Sequence, residues 1–156
     1  ARALAVNPNF IVLDEPISSL DVSIQAQIIN LLKELQQQFN LTYLFIAHDL
    51  SVVSNISSRV AVMYLGHVVE IANTFDLYKN PLHPYTKALM EQIPKIDKRN
   101  LNFQPITGEI PSATKAPSGC TFHPRCRFAK SICREIEPKL LEISPGWLSA
   151  CHLNYN

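Results

Sequence analysis

The sequence predicts an α/β fold: a parallel strand–helix–strand unit, followed by a loop-rich appendage that carries every cysteine of the chain. Three observations predict it. Phe10, Ile11, Val12 and Leu13 are apolar in succession, as suits a strand covered on both faces in a parallel sheet. Ile24, Ile28, Leu31, Leu32 and Leu35 then recur at three- and four-residue steps, the pattern of a helix with one apolar face. Leu41 to Ala47 is a second apolar, β-branched and aromatic run, so the three segments form one crossover with parallel strands.

The elements follow in order. Ala1 to Val6 reads as the end of a helix, and Asn7-Pro8-Asn9 is a turn that hands over to the first strand. Asp21 is a good N-cap for the helix Val22 to Phe39, on which Gln25, Lys33, Glu34 and Gln37 lie away from the apolar face; Asn40 ends it. Asp49 to Asn55 can form a short helix. Arg59 to Leu65 and His67 to Ile71 read as two strands joined tightly at Gly66. Thr74 can cap a helical turn through Tyr78, and Pro84 suits the first turn of a helix that runs to about Gln92 and stops at Pro94. Periodicity fades from about residue 95, where Pro105, Pro111, Pro117, Pro124, Pro138 and Pro145 accumulate and one or two short helices are expected around Ala129 to Glu137.

Length and composition set bounds. The chain of 156 residues suffices for one ordinary domain, yet it starts at Ala1 in mid-motif, so it is expected to be a piece of a longer protein. A hydrophobic fraction of 47%, a charged fraction of 17% and a net charge of +1 suit a soluble globular chain and carry no basic surplus for nucleic acid. The apolar run Tyr43 to Ala47 is far shorter than the roughly 20 residues that cross a bilayer, so membrane association is expected to go through a partner.

Chemistry concentrates at one strand end. Asp14 and Glu15 close the first strand, at the edge where open α/β sheets bind ligands, and two adjacent carboxylates there can serve a Mg²⁺ and an attacking water. His48 closes the next strand, so in a parallel sheet it emerges on the same edge and can donate a hydrogen bond to a phosphate. A plain acidic strand end and a surface histidine are the bland alternative. No GxxxxGK[ST] phosphate loop occurs, and the glycines number only four: Gly66, Gly108, Gly119 and Gly146.

As a set these residues resemble the nucleotide-binding domains of ABC transporters, a branch of the P-loop NTPases. FIVLDEP, Phe10 to Pro16, is similar to the Walker B strand with its catalytic glutamate, SSLD at Ser18 to Asp21 to the D-loop, and His48 to the switch histidine. The resemblance implies that Asp14 is the Mg²⁺-associated carboxylate, Glu15 the general base and His48 the γ-phosphate sensor, with Ser19 and Asp21 making the contact across an ATP-sandwich dimer. P-loop, Q-loop and signature loop are absent, which implies that residues 1–156 alone neither hold ATP tightly nor hydrolyse it. Residues 1–80 are assigned to the C-terminal part of that domain.

PLHPYTKAL at Pro81 to Leu89, GEIPS at Gly108 to Ser112 and SGCTFHPRC at Ser118 to Cys126 resemble the C-terminal extension of oligopeptide, dipeptide and nickel importer ATP-binding subunits, so residues 81–156 are assigned to that extension. His83 and Tyr85 are read as packing and capping residues, and Glu109 as a turn residue. The resemblance implies an ATPase using ATP and Mg²⁺ on the cytoplasmic face of the membrane. Its partners are a second ATPase subunit, identical or different, transmembrane permease subunits and, indirectly, an extracytoplasmic peptide-binding protein, with no nucleic acid. Rival readings are a DNA-repair or chromosome ATPase, which shares the first motifs but not the tail, and a stand-alone metal-binding or redox module.

Cys120, Cys126, Cys133 and Cys151 stand at gaps of five, six and seventeen residues in a segment with few apolar residues for a core of its own. Four thiolates suit tetrahedral Zn²⁺ or an iron–sulfur cluster. The resemblance favours 4Fe-4S, since some members of the importer family carry one at such cysteines. His123 and His152 sit beside these positions and can substitute; free or disulfide-paired thiols are the alternative.

Overall fold

The structure, a computed structural model, describes residues 2–93, 106 and 108–155. Pro94, the expected helix stop, lies outside the described residues. The chain forms two compact units, Ala1–Ser57 and Ser58–Asn156.

In the first unit a 3-10 helix, Arg2–Val6, leads into β1 (Phe10–Asp14), which pairs in parallel with β2 (Thr42–Ile46) from Phe10↔Thr42 to Asp14↔Ile46. Between them runs α1 (Val22–Phe39). Its start is fixed by Asp21, whose carboxylate accepts from Ile24 N at 3.0 Å, and its end by Asn40, which turns into the left-handed region at φ 50°. Ile29 of α1 is buried, and Tyr43 donates its hydroxyl to Leu32 O at 3.1 Å, joining β2 to the helix. The expectation that the strands are covered on both faces is corrected. Phe10, Val12, Leu44 and Ile46 share a face that stays 43–54% exposed, because α1 covers only one side of the pair. A short helix, α2 (Leu50–Ile56), follows, capped by Asp49.

The second unit is built on an antiparallel sheet in the order β3-β4-β6-β5. β3 (Arg59–Tyr64) and β4 (His67–Asn73) form the expected hairpin; Leu65 at φ 46° and Gly66 at φ 81° give the two left-handed residues that a tight two-residue turn needs. Asn73, not Thr74, caps α3 (Thr74–Lys79), accepting from Asp76 N at 2.9 Å. His83 caps α4 (Pro84–Glu91), with Pro84 in its first turn. Two 3-10 turns, Ala113–Lys115 and His123–Arg125, and α5 (Ile132–Glu135) occupy the tail. The sequence reading missed β5 (Leu141–Ser144) and β6 (Trp147–Ser149), a hairpin turned at Pro145-Gly146 whose β6 adds to β4. Val60, Val62, Tyr64, Val69, Ala72, Leu77, Met90 and Phe122 form the core.

Within that core Glu70 is wholly buried. One carboxylate oxygen accepts from Leu82 N and from Trp147 Nε1, both at 2.8 Å, and the other from His83 N at 2.9 Å. The bonds tie the loop before α4 and the final strand to the middle of β4.

Candidate functional site

The first unit brings the expected strand-end residues onto one edge. Asp14 is the last residue of β1, and Glu15 continues the ladder by donating its N–H to Ile46 O at 2.9 Å. The chain then turns sharply. Glu15 adopts φ 44°, a left-handed conformation that costs a non-glycine residue about 1–2 kcal/mol. Its carbonyl accepts from both Ser18 N (3.3 Å) and Ser18 Oγ (3.1 Å). His48, two residues beyond β2, places Nδ1 3.3 Å from Glu15 Oε1, and both side chains are more than half exposed. Asp49 turns away to cap α2; its carboxyl is held below the usual range chiefly by the hydrogen bond from the Ser51 hydroxyl. Chemically, a carboxylate and an imidazole in hydrogen-bond reach on an open edge can accept a proton from a water and orient a phosphate.

Ser18, Ser19 and Asp21 follow Glu15 on an exposed turn, with Ile17 buried beneath it. The fastening of this turn was not foreseen. Gln25, on the first turns of α1, donates its side-chain amide to Ile17 O at 3.2 Å and to Leu20 O at 3.1 Å.

In the second unit Cys120, Cys126, Cys133 and Cys151 line one small cavity, together with His83, Phe122, His123, Phe128, His152 and Leu153. The thiols are free. Burial pushes those of Cys120, Cys126 and Cys151 up, Cys151 to about 11, and the neighbouring thiols add to the effect. The gathering has a local cause. Gly119, at φ 65°, lets the chain pass so close to Cys133 that Cys120 N donates to Cys133 O at 2.8 Å, and a Cβ on Gly119 would lie 2.5 Å from that oxygen. The thiols do not stand as a finished metal site: among the described residues no three His, Cys, Asp or Glu side chains are placed to hold an ion. His123 and His152 are engaged elsewhere, with Cys120 O and Ile136 O, both at 2.9 Å. His83 is 1% exposed and caps α4 by accepting from Tyr85 N at 3.1 Å, the packing and capping role expected of it; burial lowers its pKa to about 4.

Comparison with known proteins bears on both units. Residues 69–133 match the family described as oligopeptide/dipeptide transporter, C-terminal region. The oligopeptide transport ATP-binding protein AppF of Bacillus subtilis is 55% identical over 156 residues, covering 98% of this chain and 47% of AppF. By sequence the chain is similar to the C-terminal half of oligopeptide transport ATP-binding proteins. YkfD of the same organism is 56% identical over 161 aligned residues, covering all of this chain and 48% of YkfD. The chain spans about half the length of the curated relatives it matches. Among the described residues no helix is long and apolar enough to cross a membrane.

Proposed function

We propose that the chain supplies the water-activating edge of an ATP-hydrolysing subunit that powers import of peptides through an ABC transporter. The observation that carries this reading is the Glu15–His48 pair: a carboxylate held in a strained turn at one strand end, within 3.3 Å of a histidine from the parallel neighbour. Similarity over nearly the whole chain to AppF favours peptide import over a DNA-repair ATPase.

In this reading Glu15 Oε takes a proton from the water that attacks the γ-phosphate, and His48 orients Glu15 through Nδ1 while its other ring nitrogen faces the phosphate. Asp14 would hold Mg²⁺ directly or through water; bound there, the ion offsets the charge of the phosphates. Ser19 and Asp21 reach across to the second ATPase subunit. The groups that grip ATP come from the remainder of the protein, so residues 1–156 alone are inactive, and the subunit works on the cytoplasmic face against its permease partners.

The donor chemistry at the cysteine cavity also supports a metal group. Four thiols, drawn from three separate stretches of chain into one small cavity that Phe122, Phe128, Leu153 and three histidines also line, have the donor chemistry of a soft-metal site. Cys120, Cys126, Cys133 and Cys151 would hold 4Fe-4S, or Zn²⁺ as the alternative, and the group would staple residues 81–156. Anaerobic purification with iron, sulfide and zinc analysis tests this; metal-free protein with four titratable thiols refutes it.

The test of the main reading is uptake of a labelled peptide into vesicles carrying the subunit with its permease. ATP inside the cytoplasmic compartment should be required, and Glu15→Gln should abolish uptake. Uptake that persists with Glu15→Gln, or without ATP, contradicts it.

A further inference from the structure

We propose that Gln25 is a positioning residue for ATP hydrolysis: its side-chain amide holds the turn from Glu15 to Asp21 in the shape the reaction needs. The inference rests on the reading of Glu15 and the following turn given above, and goes beyond it by naming what shapes them.

The turn has little else to hold it. Its backbone bonds are Ser18 N to Glu15 O and Leu20 N to Ile17 O, and its apex, Ser18-Ser19, is exposed. Gln25 Nε2 carries two N–H groups, and each meets one carbonyl: Ile17 O at 3.2 Å and Leu20 O at 3.1 Å. Those carbonyls bracket the apex, so the single amide spans the turn. The reach is backwards by eight and five residues. It is therefore not the bond to the carbonyl four residues before that a helix-surface side chain makes. That carbonyl, Asp21 O, already accepts Gln25's own N–H at 2.8 Å.

Gln25 is half-buried and Ile17 beneath it is 4% exposed, so water competes poorly for the two carbonyls. Three devices converge on seven residues: the left-handed bend at Glu15, the cap at Asp21, and the amide staple between them. Loosening the staple leaves β1, α1 and its Asp21 cap intact but frees Ser18 to Leu20, and through the Ser18–Glu15 bonds it frees the backbone that aims Glu15. A misplacement of that kind lowers the rate of the chemical step and leaves ATP affinity, which resides in other elements, unchanged.

The experiment uses the full-length, dimer-forming ATPase with Glu15→Gln, Gln25→Glu, Gln25→Met and Gln25→Arg, reading kcat, KM for ATP and the thermal midpoint. Glu15→Gln should lose turnover; if it does not, the reading of this edge fails and the inference with it. With that control in place, Gln25→Glu and Gln25→Met, neither of which can donate to the two carbonyls, should lower kcat about ten-fold with KM within about two-fold of the parent. Gln25→Arg, which restores donors, should recover most of the loss. Wild-type kcat in Gln25→Met overturns the inference. So does a kcat loss that merely tracks a fallen thermal midpoint and is not rescued by arginine, since that is the behaviour of a residue needed only for folding.

Discussion

Replacing Glu70 should reveal how the second unit is held together, and the structure sets the size of the effect. Three N–H groups converge on its carboxylate, from Leu82, His83 and Trp147, and the side chain is wholly buried. Glu70→Ala leaves all three donors unmatched at about 1–3 kcal/mol each. Leu82 and Trp147 are only half-buried, so water recovers part of that cost, and a net loss of about 3–4 kcal/mol is expected. Glu70→Gln keeps one oxygen, sufficient for the two donors that share it, and sets an NH₂ group against the third, for about 1–2 kcal/mol. Urea unfolding of both variants, with the slope against denaturant unchanged, measures the series. A loss below about 1 kcal/mol for Glu70→Ala, or equal losses for the two variants, refutes the three-donor account.

Three further outcomes follow from single residues. Glu15→Gly relieves the left-handed strain and should raise stability by about 1 kcal/mol while ending turnover; destabilisation would show that the bend is not strained. His83 has a folded pKa of about 4 against 6.5 unfolded, so as pH falls through that window the unfolded chain binds a proton that the folded chain refuses. Stability should therefore drop by about 2–3 kcal/mol between pH 7.5 and 4.5, and His83→Asn, which keeps the cap, should flatten that slope; an unchanged slope contradicts the assignment. Gly119→Ala sets a Cβ 2.5 Å from Cys133 O and should cost about 2 kcal/mol or more and any metal bound at the cysteines; a fully stable, metal-loaded variant refutes the close approach.

What was legible in the sequence was local. Helix α1 has a 3.6-residue apolar period, an aspartate at one end and an asparagine at the other, and its limits emerge as Val22–Phe39. The parallel pairing of β1 and β2 follows from the crossover, and it places Glu15 and His48 on one edge. What was not legible depends on distant partners. β5 alternates apolar and polar residues over only four positions and β6 is three residues long, so neither pattern is long enough to stand out; β6 is fixed by the Trp147–Glu70 bond across 77 residues. Gln25 reads as a solvent-facing helix residue until the preceding turn folds back to meet it. The cysteines clustered in the sequence, but their common cavity depends on Gly119 and on His83 from another motif.

The most direct measurement is ATP turnover by the purified full-length protein carrying Glu15→Gln. In the proposed reading the substitution removes the general base and should reduce the rate by a factor of about 10²–10⁴ while the protein still binds and retains ATP. Turnover within about ten-fold of the parent, with ATP bound normally, would contradict the claim that the Glu15–His48 edge activates the attacking water.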